Sequence, residues 1–93
     1  MIMRYLEALK GKIYKLLPIY EEDKPSFKIY AKSLLIELKG ATLTFPFLNT
    51  EKHFIDIINI VNYFTEYDVS YYECKKQVFK CLDLAQHIWT EEV

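Results

Sequence analysis

The chain has 93 residues, a formal net charge of −1 and 52% hydrophobic side chains, a count that includes eight tyrosines. That length makes one domain, 1–93, with a modest core, and the near-neutral balance gives no overall pull toward nucleic acid or an anionic membrane. No window is long and apolar enough to span a bilayer, and Arg4, Glu7 and Lys10 interrupt the start where a signal peptide would carry an unbroken apolar run.

The first predicted helix runs from about Ile2 to Leu17. Ile2, Leu6, Leu9, Ile13, Leu16 and Tyr20 alternate spacings of four and three, a heptad-like seam suited to packing in a bundle. Pro18 has no amide donor and disfavours the helical state at Leu17, so the helix is expected to end or kink there. Residues 21–25 read as a polar connection, with Ser26 as N-cap of a second helix from Phe27 to about Lys39. Gly40 is placed as its C-terminal stop. The stripe Phe27, Tyr30, Ala31, Leu34, Leu35 and Leu38 faces inward, and Ile29 and Ile36 fall on the opposite side.

Residues 41–50 form the longest stretch with no helical pattern. Leu43, Phe45 and Phe47 alternate with Thr44 and Pro46, so an extended run would turn all three to one side. This segment is expected to lie over the bundle and cover Ile29 and Ile36. Asn49 or Thr50 is expected to cap the third helix, about Glu51 to Tyr67. Phe54, Ile57, Ile58, Ile60, Val61 and Phe64 make its core arc, while Ile55, Tyr63 and Tyr67 lie beyond it. Ser70 and Glu73 have capping-box spacing at the head of a fourth helix. Its stripe is Tyr71, Cys74, Val78, Cys81, Leu82, Ala85, Ile88 and Trp89, with Tyr72 and Phe79 off it and residues 91–93 expected to fray. Four amphipathic helices joined by mostly short links predict an all-α, compact antiparallel four-helix bundle with an extended apolar loop, about 41–50, packed on it.

Charge divides along the chain. Residues 1–52 carry nine Lys/Arg and six Asp/Glu, a net of +3, and residues 53–93 carry three and seven, a net of −4. Opposite fields favour packing of the two halves against each other, or contact with another copy or an acidic partner. Arg4, Lys12 and Lys15 on the first helix, and Lys28 and Lys32 on the second, are the candidates for an anionic partner; nucleic acid is the weaker reading of this face, because the domain as a whole is slightly acidic.

Chemistry is harder to find. Cys74 and Cys81 lie seven apart on one predicted helix, about 10.5 Å at the helical rise, too far to bridge. They read as reduced, packed thiols of a cytoplasmic protein. His53 and His87 join neither cysteine in a metal-ligand spacing, and the sequence has no nucleophile elbow, glycine-rich phosphate loop or paired-carboxylate motif. No catalytic, cofactor or metal site is therefore expected. Tyr63, Tyr67, Tyr72 and Phe79, all off the core arcs, are the candidate protein interface.

Around Asn62 to Leu82 a tyrosine-rich third helix is followed by a capped, amphipathic fourth. In this feature, in size and in four-helix plan the chain is similar to the small cytosolic bacteriocin immunity proteins of Gram-positive bacteria. The resemblance implies a protective protein that occupies a membrane receptor complex. The residues themselves point to a non-enzymatic protein-interaction or regulatory protein that forms a homodimer, or that binds another protein.

Overall fold

The structure, a computed structural model, describes the backbone of residues 2–92 and the side chains of residues 3–88. The described residues form an all-α bundle of five helices: α1 (Ile2–Tyr14), α2 (Leu16–Glu22), α3 (Lys24–Thr44), α4 (Lys52–Glu66) and α5 (Tyr71–Glu92). A 3₁₀ turn at Pro46–Asn49 links α3 to α4. Helices α1 and α2 together form one arm, so the bundle has four arms and measures 37 × 21 × 19 Å.

Contacts between the ends of the arms show that neighbours run antiparallel. Tyr5 near the start of α1 meets Phe45 just past α3, with ring centroids 5.7 Å apart. Lys28 in the second turn of α3 reaches the end of α4, and His53 at the start of α4 meets His87 near the end of α5. One end of the bundle is knitted by aromatic rings. Tyr20 packs on Phe27 at 5.1 Å and on Tyr71 at 5.7 Å, and Phe27 packs on Phe64 at 5.5 Å, joining α2, α3, α4 and α5. The Tyr20 hydroxyl also donates to the Val69 carbonyl, which fixes the turn before α5.

The heptad-like seam is the inner face of the first arm: Leu6, Leu9, Ile13 and Leu16 are all buried. The Ile2 side chain, which opens that seam, and Trp89, which closes the stripe of the last helix, lie outside the described residues, as does Val93. The first arm does break, but a turn earlier than expected. Its gap falls at Lys15 and Pro18 sits inside α2. A proline in a helix loses its bond to the carbonyl four residues back and clashes with it. For Pro18 that residue is Tyr14, where α1 stops, so the break is displaced to where the ring would collide.

The polar connection at 21–25 is almost wholly helical. Only Asp23 is extended (φ −167°, ψ 155°), and it rather than Ser26 is the N-cap of α3. Its carboxylate accepts the Ser26 amide at 2.7 Å and the Ser26 hydroxyl at 3.0 Å. Gly40 does not stop α3, which continues to Thr44 with no positive φ at either glycine. The stop comes from Pro46, which holds Phe45 at φ −124°, ψ 83°, outside the helical region. The 41–50 segment therefore packs on the bundle as a helix end and a 3₁₀ turn rather than as an extended run. Leu48 is fully buried and Phe45 partly so, but Leu43 and Phe47 are exposed, and the segment does not cover Ile29 and Ile36.

Helix α4 is capped by Glu51, not Asn49 or Thr50; its carboxylate accepts the His53 amide at 2.7 Å. The expected arc is inward, with Phe54, Ile57, Val61 and Phe64 fully buried and Ile58 and Ile60 partly so. Ser70 accepts the Glu73 amide at 3.1 Å as the capping box requires, while the Glu73 carboxylate accepts from Gln77. Cys74, Val78, Cys81, Ala85 and Ile88 are buried on α5. Tyr71 is an exception: its ring is exposed at the rim, where its hydroxyl approaches Glu21 at 3.4 Å. Residues 91 and 92, expected to fray, belong to α5.

Candidate interaction surfaces

The core uses one stripe of each helix, and what it leaves outside defines the candidate surfaces. Among the described residues no polar or charged residue is fully buried, although the Tyr5 hydroxyl itself is withdrawn from solvent. Both cysteines are buried and free. Desolvation pushes the Cys74 thiol up to about 11 and the Cys81 thiol up to about 12, the latter against a small opposing pull from Lys80. Such thiols hold almost no thiolate near neutrality and are poor nucleophiles.

The structure brings together the histidines that the sequence keeps 34 positions apart. Their rings stack with centroids 5.6 Å apart. His53 Nδ1 lies 3.1 Å from Glu51 Oε1, and His87 Nδ1 lies 2.8 Å from the Asp83 carbonyl oxygen. No group of three or more metal-ligating side chains occurs among the described residues. The stacked rings connect the start of α4 to the end of α5.

The four candidate interface aromatics are all exposed, but they do not form one surface. Tyr63 and Tyr67 stand side by side with ring centroids 5.1 Å apart. Tyr63 lines an open groove of about 240 Å³ between α4 and α5, with Asn59, Ile60, Glu73 and Gln77. Since Glu73 and Gln77 face α4, Phe79, two residues beyond Gln77, is turned some 200° away at about 100° per residue. Tyr72, at 75% exposure, shares the side of Phe79. The four rings therefore make two patches flanking α5.

The anionic-partner candidates also divide. Arg4, Lys15 and Lys32 are exposed. Lys12 is engaged by Glu37 across the α1–α3 groove, where the Tyr30 hydroxyl donates to the Lys12 carbonyl at 2.7 Å. Lys28 donates to the carbonyls of Phe64 and Tyr67 at 2.8 and 2.5 Å and lies 3.6 Å from Asp68, so its charge is spent on the end of α4.

Ile29 and Ile36, which the 41–50 segment was expected to cover, are exposed, and so is Leu43 of that segment. Ile29, Ile36 and Leu43 project from α3 with 67%, 72% and 84% of their surface exposed. They recur every seven residues along one continuous helix, directly opposite its buried stripe. The signal was present in their spacing, but it becomes visible only once α3 is known to run through Gly40. No helix among the described residues is long and apolar enough to cross a membrane.

No family model matches the chain, and neither the curated proteins nor the solved structures contain a match.

Proposed function

We propose that this protein is non-enzymatic and works by associating with protein surfaces, a second copy of itself among them. The observation that carries this reading is the apolar surface left outside the core: Ile29, Ile36 and Leu43 on α3, the rings of Tyr63 and Tyr67 on the α4 side of α5, and those of Tyr72 and Phe79 on its other side. Contiguous exposed apolar patches on small soluble domains mark interaction sites, and aromatic rings are enriched where such contacts are made. Support also comes from what the polar groups are doing. The thiols are withdrawn from solvent, and the lysines nearest a basic face, Lys12 and Lys28, are occupied within the fold, which disfavours nucleic-acid binding through the first arm and α3. A domain this small also gains stability by mass action when it associates.

Sedimentation equilibrium and multi-angle light scattering test the self-association. The expected result is a species of twice the 11.2 kDa chain mass that builds up with concentration, accompanied by a melting temperature that rises with concentration. A monomer throughout the high-micromolar range, with a concentration-independent melt, overturns self-association.

A further inference from the structure

We infer that the groove between α4 and α5 receives an arginine side chain of a partner protein, with the guanidinium stacked on Tyr63 and bonded to Glu73. This rests on the protein-association reading above and names the chemistry that one of its surfaces recognises.

Glu73 stands where a capping-box carboxylate would turn back to the Ser70 amide. It turns along the helix instead and accepts from Gln77 Nε2 at 2.8 Å. Both side chains line the groove, with Asn59, Ile60 and Tyr63 on the facing helix. The carboxylate is thus withdrawn from its local task and held at the wall of an open groove. Among the described residues no lysine or arginine pairs with it. Residues 53–74, which supply the α4 wall, the turn and the head of α5, contain neither residue type. Lys28 reaches this end of α4 from α3, but the Phe64 and Tyr67 carbonyls and Asp68 hold it. The chain's only arginine, Arg4, precedes Tyr5 at the opposite end of the bundle. A cation for this groove therefore comes from outside the molecule.

The lining selects the kind of cation. Glu73 offers a carboxylate, and Gln77, having given an N–H to it, keeps its amide oxygen as an acceptor. Asn59 adds a second amide opposite. Tyr63 and Tyr67 supply ring faces, with centroids 5.1 Å apart and planes inclined by 33°. Acceptors beside an aromatic face suit a flat cation rich in donors. A guanidinium carries five N–H groups in one plane and stacks on aromatic rings. An ammonium has no flat face and holds its water more tightly. A phosphate would meet the Glu73 charge. The volume, about 240 Å³, is below the roughly 300–1,000 Å³ of sites for drug-sized ligands and suits one long side chain. Ile60 lies where its aliphatic stem would rest. Lys80, exposed one turn beyond Gln77 on the same edge of α5, directs the cationic head toward the Glu73 end.

Amide NMR titration tests the proposal, with acetyl-Gly-Arg-Gly-amide as the probe and its lysine and citrulline counterparts for comparison. Citrulline keeps the length and flat shape of arginine and loses the charge. The arginine peptide should bind saturably with a Kd of about 1 mM, moving the side-chain amide signals of Asn59 and Gln77 and the backbone signals of Tyr63 and Glu73. The lysine peptide should bind about threefold more weakly, and the citrulline peptide should not saturate. Glu73→Gln and Tyr63→Leu should each weaken arginine binding about threefold, while Phe79→Ala, on the other side of α5, should leave it unchanged. No saturable shift with the arginine peptide, equal shifts with the citrulline peptide, or shifts confined to other helices would overturn the site. These comparisons use the wild-type chain and stand whether or not a variant folds. A chain that self-associates yet binds no arginine peptide loses this groove and keeps the association reading. A monomeric chain that takes the arginine peptide here keeps the groove and loses self-association.

Discussion

The Lys28 ammonium lies 2.8 Å from the carbonyl oxygen of Phe64, across the boundary between α3 and α4. It also takes the Tyr67 carbonyl at 2.5 Å, and so supplies from a neighbouring helix the cap that the end of α4 lacks in its own sequence. A cation at this position meets both the open carbonyls and the negative end of the helix dipole. Lys28→Met keeps the aliphatic stem and removes the donors, and should destabilise the fold by about 1–2 kcal/mol. Urea denaturation of the wild type and variant measures this; Lys28→Arg should recover part of the loss.

Tyr5 presents the opposite case. Its hydroxyl is buried and has no hydrogen-bond partner among the described residues, while the ring packs on Phe45. Burial, with a smaller contribution from Glu37, pushes its ionisation up to about 12. An orphaned hydroxyl costs desolvation that no bond returns. Tyr5→Phe keeps the ring contact and removes that cost, and should raise stability by about 1 kcal/mol. A fall in the melting temperature would mean that the hydroxyl has a partner in solution.

The parts of the fold legible from sequence were those set by period. The first seam, the α4 arc and the α5 stripe are repeated apolar spacings, and Leu6, Leu9, Ile13, Phe54, Ile57, Val78 and Cys81 are all buried as those spacings require. Boundaries were less legible because they depend on which of several local signals wins. Asp23 outcompetes Ser26 as a cap because Pro25 suits the first turn of α3. Gly40 fails as a stop because Ala41 continues the buried stripe into one further turn. That error hid the candidate surface. With Gly40 read as a terminus, Leu43 fell into a loop, and the line from Ile29 through Ile36 to Leu43 was broken. Partnerships between distant residues, such as His53 with His87 or Lys28 with Phe64, leave no local pattern to read.

Neither glycine serves a turn, and each sits within a helix with nothing within 4 Å of the position a side-chain methyl would take. Glycine in a helix interior is less favourable than alanine because the unfolded chain loses more freedom on ordering. Gly11→Ala should therefore stabilise the protomer by about 0.5–1 kcal/mol. Gly40→Ala should do the same. Thermal melts of each variant against the wild type measure the gain, and a fall in melting temperature at either position would show that the glycine is required there.

Alkaline pH should weaken the fold in a defined window. Cys74 and Cys81 are held protonated by burial, with ionisation raised from 9.0 to about 11 and about 12. The unfolded chain therefore loses these protons first, and it binds fewer protons than the folded chain above pH 9. Stability depends on that difference: when the unfolded state is the one with fewer protons, stability falls as pH rises. The contribution is fully present below the unfolded value, is lost between pH 9 and the folded values near 11 and 12, and is reinforced by Tyr5 over the upper part of that range. Urea midpoints should decline across this interval, and Cys74→Ala/Cys81→Ala should flatten part of the decline. Native protein at pH 8 should react with a thiol-specific disulfide reagent only at the rate of its opening, and both thiols should react at once in denaturant. Rapid labelling of the native chain would place at least one thiol at the surface.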